Sequence, residues 1–182
     1  MGYEGHLMIE TDRTKRSDGT EHAMAMLLDA HVAVGGDVVS GGGTGTWDTN
    51  EWVTELQAGS YTLMDTAYIE LGLPFHQALW VNATVVSVHP DGWAVCDAGL
   101  KSLGMDHGPP AMDDATVWFA SDEHVTFGPP GGADATSLPA VGDRVRVWPA
   151  HIDPTIAMHE TMWVADPAGQ IVDQWPIDLR HW

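Results

Sequence analysis

Between residues 20 and 34 the apolar positions Ala23, Met24, Met26, Leu27, Ala30 and Val34 recur at spacings near three and four, the period of one helical face. Gly35-Gly36 is a stop signal, so a helix is predicted over residues 20–34. A short apolar run, Asp37-Val38-Val39-Ser40, then opens into Gly41-Gly42-Gly43-Thr44-Gly45-Thr46. A second strand candidate, Trp52 to Leu56, ends at Gln57-Ala58-Gly59-Ser60. A helix followed by short strands with glycine-rich C-terminal ends has the pattern of β/α units.

After about Pro74 the pattern changes. Residues 81–88 alternate, and further short β-branched or aromatic runs follow at 93–96, 115–120, 144–148, 160–165 and 170–176. Asp-Gly, Gly-Pro-Pro, Pro-Pro-Gly-Gly and Pro-Ala-Gly separate them, which predicts an antiparallel β-domain, a barrel or a sandwich. Residues 129–139 are the best loop candidate. Trp148, Trp163 and Trp175 fall in the strand candidates, where their rings are expected to be core or interface material. Neither internal repeats nor low-complexity tracts interrupt the chain.

Composition changes this picture in one respect. Of 182 residues, 7 are Lys or Arg and 26 Asp or Glu, a formal charge of −19. Such a surface repels phosphate backbones and anionic lipid, so nucleic acid and membrane surfaces are excluded as partners. Only Lys15 and Lys101 are lysines. The single Cys96 rules out an intramolecular disulfide and suits a reducing compartment. With no apolar run of membrane-spanning length and no signal-peptide pattern at the start, the chain reads as soluble and cytoplasmic.

Five segments could carry chemistry. Ser40 to Thr46 follows a strand, and its glycines let backbone N–H groups approach an anion while threonine hydroxyls add hydrogen bonds. The spacing is neither GxGxxG nor GxxxxGK[ST], so a flexible turn is the competing reading. Gly59-Ser60-Tyr61 is a second phosphate-contact candidate. In His151-Ile152-Asp153-Pro154-Thr155, an extended backbone would point residues i and i+2 to one side, so that His151 and Asp153 could share a Zn²⁺ or Mn²⁺ ion. A surface histidine beside a turn-forming Asp-Pro explains the same residues, and His159 lies further on. The segment from Cys96 to Asp106 offers Asp97 and Asp106 as a carboxylate pair and Lys101 as an amine, or else a bent hairpin. In Ser121-Asp122-Glu123-His124, the histidine is either buried or faces a pocket.

Seven segments in this order resemble one family. They are Gly2-Tyr3-Glu4-Gly5-His6, Val39-Ser40-Gly41-Gly42-Gly43-Thr44-Gly45-Thr46, Glu55-Leu56-Gln57-Ala58-Gly59-Ser60-Tyr61, Asp97-Ala98-Gly99-Leu100-Lys101, Ser121-Asp122-Glu123-His124, Pro149-Ala150-His151-Ile152-Asp153-Pro154-Thr155 and Val172-Asp173-Gln174-Trp175-Pro176. Together they are similar to the C-terminal portion of the D-threonine aldolase/D-serine dehydratase-like family, pyridoxal 5'-phosphate enzymes of the alanine-racemase-like fold. The resemblance implies an α/β plus all-β chain: an incomplete TIM-type (β/α) barrel portion over residues 1–74, followed by an antiparallel β-domain with a metal site over residues 75–182. It implies that Thr44, Gly45, Thr46, Gly59 and Ser60 hold the cofactor phosphate, that Tyr3 and His6 lie near the pyridine ring as catalytic groups, and that His151 and Asp153 bind a divalent metal, Mn or Zn. That metal would bind the substrate's β-hydroxyl and make it more acidic for retro-aldol cleavage. A homodimer of the full-length protein is also implied, with Asp106, His107 and His124 lining a shared pocket.

The departure concerns the cofactor. The family's Schiff-base lysine comes from an early barrel strand that this chain does not contain. Lys15 lies in a charged loop signature, Asp12 to Asp18, and Lys101 belongs to the family's own Asp-Ala-Gly-Leu-Lys segment. The chain is therefore expected to be inactive alone, whether it is a fragment, a start assigned inside a longer protein, or half of a split enzyme. The resemblance links His-x-Asp to aldolases and His-x-Cys to dehydratases, which favours cleavage of a D-3-hydroxy amino acid to glycine and an aldehyde. D-serine dehydratase, 3-hydroxy-D-aspartate aldolase and an inactive metal-binding β-domain are the alternatives.

Overall fold

Asp12 opens the chain's long helix: its side chain accepts hydrogen bonds from the N–H groups of Thr14 and Lys15, and α1 runs Arg13–Val34. In the computed structural model, which describes residues 4–132 and 138–180, the chain forms two units, residues 1–78 and 79–182. The helix therefore starts seven residues before residue 20, and the supposed charged loop around Lys15 is its first turns. The predicted apolar face is also corrected. Of its members Met24 is buried, whereas Met26 and Val34 are exposed. What α1 buries besides Met24 is Arg16 and Thr20. The Arg16 guanidinium donates to the Glu10 carbonyl, and the Thr20 hydroxyl donates to the Arg16 carbonyl at 2.8 Å.

After α1 two short strands, β1 (Ser40–Gly41) and β2 (Glu55–Leu56), pair in parallel with Ser40 opposite Glu55 and Gly41 opposite Leu56. They are shorter than the predicted runs at 37–40 and 52–56. A second cluster, Met8, Met64 and Tyr68 with Leu71, Leu73 and Phe75 against it, forms a separate core in this unit. No described helix is long and apolar enough to cross a membrane.

The second unit is a six-stranded antiparallel sheet. Its strands are β3 (Val81–His89), β4 (Trp93–Cys96), β5 (Ala111–Met112), β6 (Thr116–Ala120), β7 (Val125–Gly128) and β8 (Arg144–Trp148), in the order β5-β8-β3-β4-β7-β6. Its two edges meet through a bridge between Met112 and Ala115, so the sheet is a nearly closed barrel, which removes most of the exposed edge. Ala83, Val85, Ala94, Cys96, Leu103, Val125, Phe127 and Val147 fill its interior. Burial raises the Cys96 thiol above its ordinary value, so this cysteine is a core residue rather than a nucleophile.

The sequence pattern predicts no strand at 125–128, although all four residues of β7 are buried. The alternation of Val125-Thr126-Phe127-Gly128 spans only four residues, and it sits directly between two segments read as a motif and a loop. Of the loop predicted at 129–139, residues 133–137 lie outside the described residues.

A helix, α2 (Ile152–Ala157), follows β8, and a separate antiparallel hairpin of β9 (Thr161–Ala165) and β10 (Ile171–Pro176) closes the chain. Trp163 and Trp175, on this separate two-stranded sheet, are 60% and 51% exposed and so are not core residues of the chain.

Candidate metal centre and phosphate loops

The backbone around His151 is held from inside. Thr155, buried in the first turns of α2, donates its hydroxyl to the His151 carbonyl at 2.7 Å and accepts the Gly104 N–H at 2.9 Å. Gly104 and His151 also form a β-bridge. A Cβ on Gly104 would stand 2.3 Å from Pro154 Cγ, so only glycine allows this approach. Gly104→Ala is expected to destabilise the unit by about 1–3 kcal/mol. A thermal melt checks this, and an unchanged melting temperature would show that the two segments are not tied.

His151 is extended (φ −137°, ψ 116°) and serves as the N-cap of α2, while Asp153 lies in that helix's first turn. The two side chains therefore converge at a strand-to-helix corner, not along the extended segment that the i, i+2 reading assumed. His151 Nε2 lies 3.3 Å from Asp153 Oδ2. Two ligands about 2.1 Å from one ion, at angles between octahedral and tetrahedral, stand about 3.0–3.4 Å apart. The pair has the separation that an imidazole and a carboxylate need to share a divalent ion.

Two residues from the 102–107 loop complete the group. Asp106 Oδ2 lies 2.7 Å from His151 Nδ1, and the His107 ring stacks on the His151 ring with centroids 3.9 Å apart and planes 6° from parallel. Asp106, His107 and His151 offer ligand atoms all within 4.8 Å of one another. Partial desolvation raises the Asp106 carboxyl. Its bond with His151, a backbone N–H and the nearby imidazoles outweigh that, so it ends below the ordinary carboxylate range. Exposure grades outward, from 22% for the His151 side chain to 56% for Asp106 and 75% for Asp153, so the group opens to solvent.

The other candidates in this unit separate. Asp97 Oδ1 accepts the Thr84 N–H, so Asp97 and Asp106 make different contacts and are not a carboxylate pair. Lys101 Nζ is 2.5 Å from Glu123, and that hydrogen bond and charge raise its pKa. An amine held protonated in solvent is no nucleophile. His159 Nε2 bonds to the Ser102 carbonyl at 2.9 Å, away from the cluster. His124 is exposed on a shallow apolar groove with Trp93, Trp118 and Phe119.

In the first unit, the loops that follow β1 and β2 meet at the C-terminal ends of these parallel strands, the end where α/β proteins bind ligands. The Tyr61 N–H donates to Thr44 Oγ1 at 3.1 Å and ties the two loops together. Thr46 is wholly buried. Its hydroxyl accepts the Gly43 N–H at 3.3 Å and donates to Glu4 Oε1 at 2.7 Å, and Asn50 Nδ2 donates to the same oxygen at 3.3 Å. Thr44 and Thr46 thus build the loop from within. Ser60 is half-buried and Gly59 exposed, with open space where its Cβ would be. His6 is exposed in a 3-10 turn, Gly5–Leu7. Tyr3 lies outside the described residues. Lys15 is exposed on α1.

Residues 78–165 match the model of a putative serine dehydratase domain. Over 99% of its length the chain is 39% identical to a D-threonine aldolase from Arthrobacter and 33% identical to a 3-hydroxy-D-aspartate aldolase from Paracoccus denitrificans, covering 50% of each. Among solved structures, a D-threonine aldolase from Filomicrobium marinum superposes with a TM-score of 0.85 at 30% identity, over 96% of this chain and 50% of that one. The chain spans about half the length of the curated relatives it matches. Within that span, the chain is homologous to D-threonine aldolases and 3-hydroxy-D-aspartate aldolases, and its residues 78–165 match the serine dehydratase domain.

Proposed function

We propose that this chain supplies the metal centre and the cofactor-phosphate loops of an aldolase that cleaves D-3-hydroxy amino acids, with D-threonine giving glycine and acetaldehyde. The observation that carries the reading is the 3.3 Å separation of His151 Nε2 and Asp153 Oδ2. When bound, a divalent ion supplies Lewis acidity to the substrate hydroxyl, and pyridoxal phosphate supplies the electron sink for the charge left on the α-carbon. His151 and Asp153 would hold the ion, and with only two protein ligands the site would stay open to water and the hydroxyl. A carboxylate at position 153 keeps that ion a harder Lewis acid than a thiolate would, which supports cleavage over dehydration.

Residues 1–74 are read as β/α units of a TIM-type barrel, and the parallel β1/β2 pair supports that reading. Backbone N–H groups of the loops from Gly41 to Thr46 and Gly59 to Ser60, other than those of Gly43 and Thr46 that bond within the first loop, would bind the phosphate, a fitting donor set in a chain of charge −19. The other end of the cofactor does not fit. Lys101 is pinned to Glu123 and Lys15 is solvated on α1, so the amine that anchors an aldehyde must come from outside this chain.

The test uses D-threonine, pyridoxal phosphate and Mn²⁺. The chain alone is expected to release no acetaldehyde, and to release it when supplied with the half of the Arthrobacter enzyme that it does not match. Acetaldehyde from the chain alone would overturn the lysine assignment. Pyruvate from D-serine, with no glycine from D-threonine, would replace cleavage by dehydration.

A further inference from the structure

Imidazole nitrogens lie on opposite sides of the ring, so an outer partner on one decides what the other can do. At His151 the partner on Nδ1 is Asp106 Oδ2 at 2.7 Å, and an ionised carboxylate only accepts hydrogen bonds. Asp153, the carboxylate facing Nε2, stands at 3.3 Å, outside the usual hydrogen-bond range, so in the neutral ring Nδ1 carries the proton and Nε2 keeps the lone pair. The ring plane is fixed by His107, stacked at 3.9 Å. His107 Nε2 stands 3.8 Å from Asp106 Oδ2, beyond hydrogen-bond reach, so it does not compete for that carboxylate.

Two placements of an ion can be compared on these distances. An ion shared by Asp106 and His151 Nδ1 would need their 2.7 Å contact to open toward the roughly 3.0–3.4 Å of neighbouring metal ligands. The Nε2–Asp153 side has that spacing already. We infer that Asp106 is a positioning residue, outside the ion's coordination, that holds His151 in the Nδ1–H tautomer and aims Nε2 at the metal. This rests on the reading of His151 and Asp153 as ligands.

Asp106 reaches His151 across 45 residues because Gly104 bridges to His151 and is bonded to Thr155 two residues before the carboxylate. It is half-exposed and outside the barrel core, so its removal leaves the fold's interior untouched. Outer-shell carboxylates of this kind change metal affinity by roughly 10–100-fold.

The experiment is two-fold, on the whole chain. Long-range ¹⁵N–¹H NMR of the metal-free protein reads the His151 tautomer, and a Mn²⁺ titration reads affinity and stoichiometry. The wild type is expected to show His151 with Nδ1 protonated. Asp106→Ala is expected to move the proton to Nε2 and weaken Mn²⁺ by roughly 10–100-fold, still at one ion per chain. Asp106→Asn, whose amide oxygen can accept the same bond, is expected to keep the tautomer and most of the affinity. A neutral wild-type ring protonated at Nε2 and not at Nδ1, or Asp106→Ala with unchanged tautomer and affinity, would overturn the inference. Loss of the ion altogether in Asp106→Ala would make Asp106 a ligand and overturn it as well. A wild type that shows Nδ1–H yet takes up no Mn²⁺ would instead overturn the ligand reading and support the Asp106–His151 bond.

Discussion

Replacing His151 by alanine is expected to abolish stoichiometric Mn²⁺ uptake while the β-barrel stays folded. The imidazole is the nitrogen ligand of the proposed centre, and Asp153, which would remain, is 75% exposed. A single exposed carboxylate does not hold a divalent ion against water. The affinity is expected to fall at least about 100-fold, which is about 2.8 kcal/mol. The fold should barely respond, because the barrel interior is built from Val85, Phe127, Val147 and their neighbours and does not include the ring of His151. Isothermal titration with Mn²⁺, alongside a thermal melt, separates the two effects. Uptake that survives His151→Ala would place the metal elsewhere.

Gly45→Ala is expected to have the largest effect in the other unit. A Cβ at this position would stand 2.2 Å from the Met8 carbonyl oxygen and 2.9 Å from both Met8 C and Cα, a collision with backbone that no rotamer relieves. The loop or the segment carrying Met8 must move, and Met8 is part of the small core with Met64 and Tyr68. The cost is expected to be about 1–3 kcal/mol. The displaced loop takes with it the buried Glu4–Thr46–Asn50 contacts that shape residues 43–46. Pyridoxal phosphate binding should weaken at least about tenfold, or about 1.4 kcal/mol, read by fluorescence titration. Full affinity in Gly45→Ala would remove this loop from the phosphate site.

Much of the β-domain was legible because period-2 alternation and turn dipeptides are local signals, and residues 81–88, 93–96 and 144–148 needed nothing more. β7 was not, since its alternation spans only four residues, too short to stand out between the motif before it and the loop after it. The helix face of α1 misled for the opposite reason: its apolar spacing is real, yet Met26 and Val34 are exposed and a buried arginine takes part in the packing. At the candidate metal centre, the types and spacing of His151 and Asp153 pointed to a shared ion, although the geometry that joins them is a helix N-terminus rather than a strand. Asp106 stood in view as half of a carboxylate pair with Asp97. Its place beside His151 depends on the Gly104 bridge and the Thr155 hydroxyl, contacts across some 50 residues that no local pattern encodes.

The most direct measurement is anomalous diffraction from crystals of the chain soaked in Mn²⁺. The expected result is one ion bonded to His151 Nε2 and Asp153 Oδ2, at about 2.0–2.2 Å from each. An ion seated instead among Asp106, His107 and His151 Nδ1, or no ion on His151 at all, would contradict the account.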